Sequence, residues 1–175
     1  FLKELKHKYN QCYIIPEGGT NDFAIKGCEE ILSNSNIYNF ICCPIGTGGT
    51  VSGIINATNE TQNVLGFSAV KGVSTLKRDI NRWTNKNNWD IISSYNFGGF
   101  AKFSDKLLHF VIDFYHKYNI PLDLIYTGKM MYGIMEMIQK NYFSKGTKIL
   151  IIHTGGLQGN KGMNQRFSLD LPHDL

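Results

Sequence analysis

Apolar residues in this chain gather into short continuous runs, separated by polar stretches and glycine turns. The runs IYNFICCPIG at 37–46, NVLGFSAV at 63–70 and KILII at 148–152 have strand length and no polar face, the pattern of strands buried on both sides. CYIIP at 12–16 and WDIISSYN at 89–96 read as further strands. Between them the period lengthens to that of helices: a helix end over 1–9, then AIKGCEEILSN at 24–34, TVSGIINATN at 50–59 and STLKRDINRWTN at 74–85. DKLLHFVIDFYHKYN at 105–119 is strongly amphipathic, with Ser104 placed to cap it and Pro121 placed to help end it. GKMMYGIMEMIQK at 128–140 follows, with Thr127 as its expected cap and Gly146 beyond its end. Strand and helix alternate along the whole chain. That order predicts an α/β fold in three layers, a mostly parallel sheet with helices on both faces.

Composition narrows the class. With 175 residues, 42% hydrophobic and 18% charged, the chain is long enough and apolar enough to bury a core. A formal charge of +4 spread over scattered lysines lacks the basic stripe of a nucleic-acid binder. No run reaches the roughly 18 apolar residues of a membrane span. The opening FLKELKHKYN is too polar for a secretory signal, so the cytoplasm is expected. Cys12, Cys28, Cys42 and Cys43 form no CxxC pair, which favours buried thiols over a metal site or a disulfide. The 13% aromatic content leaves room for a subunit contact.

Three glycine loops each follow an expected strand: Gly18-Gly19-Thr20-Asn21, Gly46-Thr47-Gly48-Gly49-Thr50, and Thr154-Gly155-Gly156. Ligands in open α/β sheets bind beyond the carboxyl ends of strands, so three loops on one edge would form one pocket. GTGGT stands between a buried strand and a helix start, where free N–H groups and the helix dipole favour an anion. It is neither a Walker loop nor a dinucleotide fingerprint, since Thr50-Val51 stands where GK[ST] or the last glycine would fall. A terminal monophosphate suits this neutral cup, and pyridoxal phosphate is the natural candidate. The plainer alternative is a tight strand-to-helix turn with no ligand.

The blocks IIPEGGTN, PIGTGGTVSGI, DLIYTGKMMYGI and IIHTGGLQG resemble, in order, those of the 1-aminocyclopropane-1-carboxylate deaminase and D-cysteine desulfhydrase family, from about residue 12 to about residue 167. The resemblance implies a tryptophan synthase β-like fold, fold type II among pyridoxal-phosphate enzymes. Residues 1–175 would be the carboxyl-terminal, cofactor-binding portion of a larger two-domain enzyme. It implies a phosphate held by Gly46, Thr47, Gly48, Gly49 and Thr50, a cleft lined near Asn21, and Thr154 beside the pyridine nitrogen. A neutral hydroxyl there makes the ring a weaker electron sink than a carboxylate would. Tyr126 falls where the family has an active-site tyrosine near a small amino-acid substrate. A homodimer is also implied.

Two departures shape the expected reaction. Thr127 stands where the cyclopropane-cleaving members carry glutamate, and Phe100 stands near a second family tyrosine. The first favours β-elimination from a D-cysteine-like substrate over ring opening; Phe100 can pack on a ring but cannot transfer a proton, and it leaves the substrate open. The family's Schiff-base lysine belongs to a GNK-type block preceding the matched part. Lys161 sits in a GNKG string in the wrong context, and Lys26 and Lys129 read as surface or capping residues. The chain is therefore expected to lack the amino-terminal part of the site and, alone, to be inactive. The rival expectation is a phosphate- or cofactor-binding fragment without turnover. His153 at a strand end reads as a local hydrogen-bonding residue rather than a proton shuttle.

Overall fold

Alternation of strand and helix produces a four-stranded, fully parallel sheet in the computed structural model, which describes residues 1–10, 12–33 and 36–173. Its strands are β1 (Phe40–Ile45), β2 (Asn63–Ser68), β3 (Trp89–Ile92) and β4 (Ile149–Ile151), in the spatial order β3-β2-β1-β4. The helices are α1 (Leu2–Lys8), α2 (Asp22–Glu29), α3 (Gly49–Ala57), α4 (Val73–Ile80), α5 (Asp105–Tyr118), α6 (Thr127–Gln139) and α7 (Gln158–Phe167). Register pairs Cys42 with Leu65 on one side and with Ile151 on the other.

The two central strands are buried on both faces, and alternation along them sorts their side chains between two layers. Ile41, Cys43, Ile45 and Val64 pack with Val51, Ile54 and Ile55 of α3 and with Leu76 and Ile80 of α4. Cys42, Leu65 and Phe67 face the opposite way, onto Met130, Ile134 and Met137 of α6. A third cluster joins α5 to α6 and α7 through Leu107, Val111, Tyr132 and Met163. The three-layer expectation holds. Adjacent cysteines thus serve opposite layers; burial holds the Cys42 thiol up at about 12 and the Cys43 thiol higher still, so both act as small hydrophobes.

Several local expectations change. CYIIP forms no strand: it is extended chain with Tyr13 and Ile15 each 70% exposed, because no described strand lies beside it to complete a ladder. KILII is not a buried strand but a three-residue, half-buried one, since β4 sits at the sheet edge. The helix expected over 24–34 begins at Asp22, and its expected end at Asn34 lies outside the described residues. α4 stops at Ile80 rather than continuing through 85. Ser104 caps α5, accepting from the Leu107 N–H at 3.4 Å, as expected. Beyond α6 the left-handed position belongs to Asn141 (φ 57°), ahead of Gly146. α7 had no periodic signal: GNKGMNQRF is polar and glycine-bearing, and it is held by Met163 in the core and by Asn160, whose Nδ2 donates to Leu122 and Pro172 carbonyls.

Candidate functional site

β1 ends at Ile45, and the next residues turn directly into α3. Gly48 is the N-cap residue of that helix at φ 96° and ψ −6°, a conformation that only glycine adopts without strain. The first helical amides, those of Gly49, Thr50 and Val51, have no carbonyl one turn back and point out of the helix end. They open into a cavity of about 290 Å³ at the carboxyl end of the sheet. Thr47, Thr50, Thr154, Gly156, Gln158 and Tyr126 share its wall, as does Gly18. A wider cleft of about 870 Å³ continues outward past Thr20, Lys71, Trp83 and Phe100, with Gly46, Thr47, Gly18 and Tyr126 bordering both.

All three glycine loops therefore reach one edge of the sheet, although the first follows extended chain. Thr20 and Thr47 join the first two loops through a hydroxyl–hydroxyl hydrogen bond of 2.7 Å. Of the residues singled out from the sequence, Gly46, Thr47, Gly48, Gly49, Thr50, Thr154 and Tyr126 meet in the cavity wall. Asn21 is placed elsewhere: its Oδ1 accepts from the Ala24 N–H at 3.0 Å and caps α2. The neutral, glycine-floored cup at a helix start fits a phosphate monoester, with amides and hydroxyls as donors. Among the described residues no cluster of His, Cys, Asp and Glu could hold a metal ion.

Tyr126 lies between the cup and the wider cleft. Its ring edge packs on Gly46, where a Cβ would come within 3.3 Å, and it meets the Phe100 ring at 6.0 Å between centroids. Burial, reinforced by the negative charges of Asp123 and Glu17, pushes the Tyr126 phenol above its ordinary range. It stays protonated through the neutral range, so the hydroxyl keeps a proton to donate. His153 is occupied by backbone, bridging the Pro121 carbonyl at 2.8 Å and the Gly155 N–H at 3.2 Å, in keeping with a local hydrogen-bonding role.

Two buried residues behind the site escaped the sequence reading. Thr127 is not a simple cap; Asp123 is the group that satisfies the start of α6, accepting from the Ile125, Tyr126 and Thr127 N–H groups. An acid shortly before a helix was the available signal, obscured by the more prominent YTGK. Lys129, expected at the surface, is 2% exposed and donates to the Gly99 carbonyl at 2.7 Å, tying the glycine loop beside Phe100 to α6. Desolvation lowers Lys129 to about 8 against the opposing pull of Asp123. Its folded value thus lies below the ordinary lysine range near 10.4, so this group's stability contribution is complete above that range and declines as pH falls through about 8. Urea midpoints of the native chain are expected to rise between about pH 7 and about pH 9.5 relative to Lys129→Met. Parallel profiles for the two proteins would remove Lys129 as the cause.

No family model matches the chain. It is 28% identical over 178 residues to a Pyrococcus furiosus protein provisionally named a 1-aminocyclopropane-1-carboxylate deaminase, with 90% of this chain and 54% of that protein covered. It is 30% identical over 184 residues to the bifunctional D-cysteine desulfhydrase/1-aminocyclopropane-1-carboxylate deaminase, mitochondrial, of Arabidopsis thaliana, with 90% and 45% covered. A crystal structure of an ACC deaminase homologue superposes with a TM-score of 0.72 at 26% identity, over 93% of this chain and 56% of that one. Tomato (Solanum lycopersicum) threonine deaminase, at 14% identity, 93% and 52% coverage and a TM-score of 0.52, shares the fold. The architecture is that of the fold type II pyridoxal-phosphate enzymes. The chain spans about half the length of the curated relatives it matches.

Proposed function

Since the chain belongs to the 1-aminocyclopropane-1-carboxylate deaminase and D-cysteine desulfhydrase family, we propose that residues 1–175 form the cofactor-binding unit of a pyridoxal-phosphate enzyme that deaminates a small amino acid. The observation that carries this reading is the Gly46, Thr47, Gly48, Gly49 and Thr50 cup opening into the same cavity as Thr154 and Tyr126. When bound, pyridoxal phosphate supplies the electron sink for breaking bonds at the amino acid's α-carbon. The loop amides and the Thr47 and Thr50 hydroxyls would hold its phosphate, with the dipole of α3 behind them. With the cofactor bound, Thr154 would be the hydroxyl available to the ring nitrogen, and the Tyr126 phenol would keep its proton for the substrate side. Asn21 contributes through the position of its loop.

Thr127 favours β-elimination from a D-cysteine-like substrate, yielding sulfide, ammonia and a 2-oxo acid with uptake of one water. The hydroxyl of Thr127 is engaged by Asp123, and Phe100 offers the cleft a ring without a transferable proton. All four cysteines are free thiols, which suits a cytoplasmic setting. Exposed Tyr13, Ile15 and Phe23 support a homodimer as the assembled form. A second reading, binding without turnover in this chain alone, is favoured by the inner cavity wall, which includes no lysine among the described residues.

One experiment separates the readings. The protein is incubated with pyridoxal phosphate and then with D-cysteine or 1-aminocyclopropane-1-carboxylate, while sulfide and 2-oxo acid are followed; a parallel sample is reduced with borohydride. Sulfide and 2-oxo acid from D-cysteine, with cofactor fixed to one lysine, are the expected results for an active enzyme. Saturable cofactor binding without product supports the second reading. Product from the cyclopropane substrate alone overturns the D-cysteine preference.

A further inference from the structure

Behind the cavity, and absent from its wall, one carboxylate touches two of the segments that shape it. Asp123 is fully buried. Its Oδ1 accepts from the Ile125 N–H at 2.7 Å and the Tyr126 N–H at 2.6 Å. Its Oδ2 accepts from the Thr127 N–H at 2.8 Å and the Thr127 hydroxyl at 2.5 Å. That same hydroxyl accepts from the Asp123 N–H at 2.9 Å, so the turn is closed in both directions. The Asp123 carbonyl, for its part, accepts from the Gly128 N–H at 2.8 Å.

The carboxylate also reaches the third glycine loop. A Cβ on Gly156 would stand 3.1 Å from Asp123 Oδ2 and 3.2 Å from its Cγ, so the loop backbone lies directly on the carboxylate. Gly156 and Tyr126 line the cavity; Asp123 does not. Four donors on two oxygens leave Asp123 no capacity to meet a ligand, yet they set where the Tyr126 main chain stands.

We propose that Asp123 is a positioning residue: its buried carboxylate holds the Tyr126 backbone and the Gly155–Gly156 loop in mutual register, so that the phenol and the loop present to one cavity. The catalytic part of this inference rests on the reading of Tyr126 as a substrate-side group; the structural part does not. A neutral amide in place of the carboxylate sets an NH2 donor against N–H or O–H donors at one of the two oxygens, whichever way it flips. The register loosens while the side-chain volume is unchanged.

The test separates position from turnover. The protein is labelled with 3-fluorotyrosine, and among its nine tyrosines the Tyr126 fluorine signal is assigned from Tyr126→Phe. In Asp123→Asn the Tyr126 signal is expected to shift and broaden, with the signals of distant tyrosines such as Tyr9 and Tyr38 unmoved. Thr127→Val, which removes one anchor of the carboxylate and serves if the first variant does not fold, is expected to broaden the same signal; Thr127→Ser is expected to restore it. A Tyr126 signal left at its native position and width in both Asp123→Asn and Thr127→Val overturns the proposal. Kinetics on the holoenzyme supply the second arm. Asp123→Asn should lower kcat by about tenfold or more with little change in KM, and its effect should not add to that of Tyr126→Phe. Losses that multiply in the double variant show that Asp123 does not act through Tyr126 and overturn the catalytic part of the proposal. If Tyr126→Phe keeps native kcat while the fluorine signal still moves, the positioning stands and the functional reading of Tyr126 is what fails.

Discussion

Gly53→Val is expected to unfold or severely destabilise the protein. Gly53 lies in α3 where α2 crosses it, and a Cβ there would meet the Ile25 carbonyl oxygen and Cys28 Cβ, each at 2.5 Å. The first of these is main chain of a neighbouring helix, so relief requires α2 to move away from α3 and open the layer that carries the first glycine loop. Overpacking of a rigid contact of this kind costs about 3 kcal/mol or more. For a chain of this length that corresponds to a melting temperature lower by about 10 °C. Gly27→Ala supplies the control of opposite sign. Gly27 sits in α2 with nothing within 4 Å of a Cβ, so the change should add about 0.5–1 kcal/mol through helix propensity alone. Calorimetry of the two variants checks the pair, and equal stabilities would show that α2 does not pack on α3 as described.

Gly48→Ala is expected to damage binding more than folding. At φ 96° the residue lies beyond the left-handed region that alanine tolerates, and its Cβ would stand 3.1 Å from Ile80 Cγ1. The Ile80 side chain can yield by a few tenths of an ångström, whereas the torsion strain of about 1–3 kcal/mol stays with the loop. The loop relieves that strain by turning its amides away from the cup. Affinity for pyridoxal phosphate, and for inorganic phosphate as a simpler probe, should fall about 30-fold, equivalent to roughly 2 kcal/mol. Titration followed by tryptophan fluorescence measures it, Trp83 being in the wall of the wider cleft. Unchanged affinity would show that the phosphate is held elsewhere.

Lys129 and Asp123 illustrate where sequence reading stops. Each belongs to the stretch DLIYTGK, which was singled out, but for Tyr126. A lysine at a helix start has a surface position as its default, because exposed ammonium is well solvated. Its burial here follows from the Gly98–Gly99 loop folding back to offer a carbonyl, a contact between residues 30 positions apart. The edge position of β4 and the lack of a strand partner for 12–16 among the described residues were hidden for a related reason: an apolar run states that it can pair, and only the neighbours state whether it does.

What the sequence determined by itself was local. Period and turn residues specified the alternation, the buried pair of central strands, the Ser104 cap and the glycine cup after β1, since each depends on dihedral preference or on burial over a few residues. The order of the family-like blocks carried the relationship and, with it, Tyr126 and Thr154 as candidates. Tertiary structure alone decided which loops share a cavity, that Asn21 caps a helix rather than lining the cavity, and that α7 forms from a polar segment. It also decided that a carboxylate outside the cavity joins two of its walls. These are contacts across sequence distance, fixed by layer packing and by the need to satisfy buried polar groups, and no local pattern encodes them.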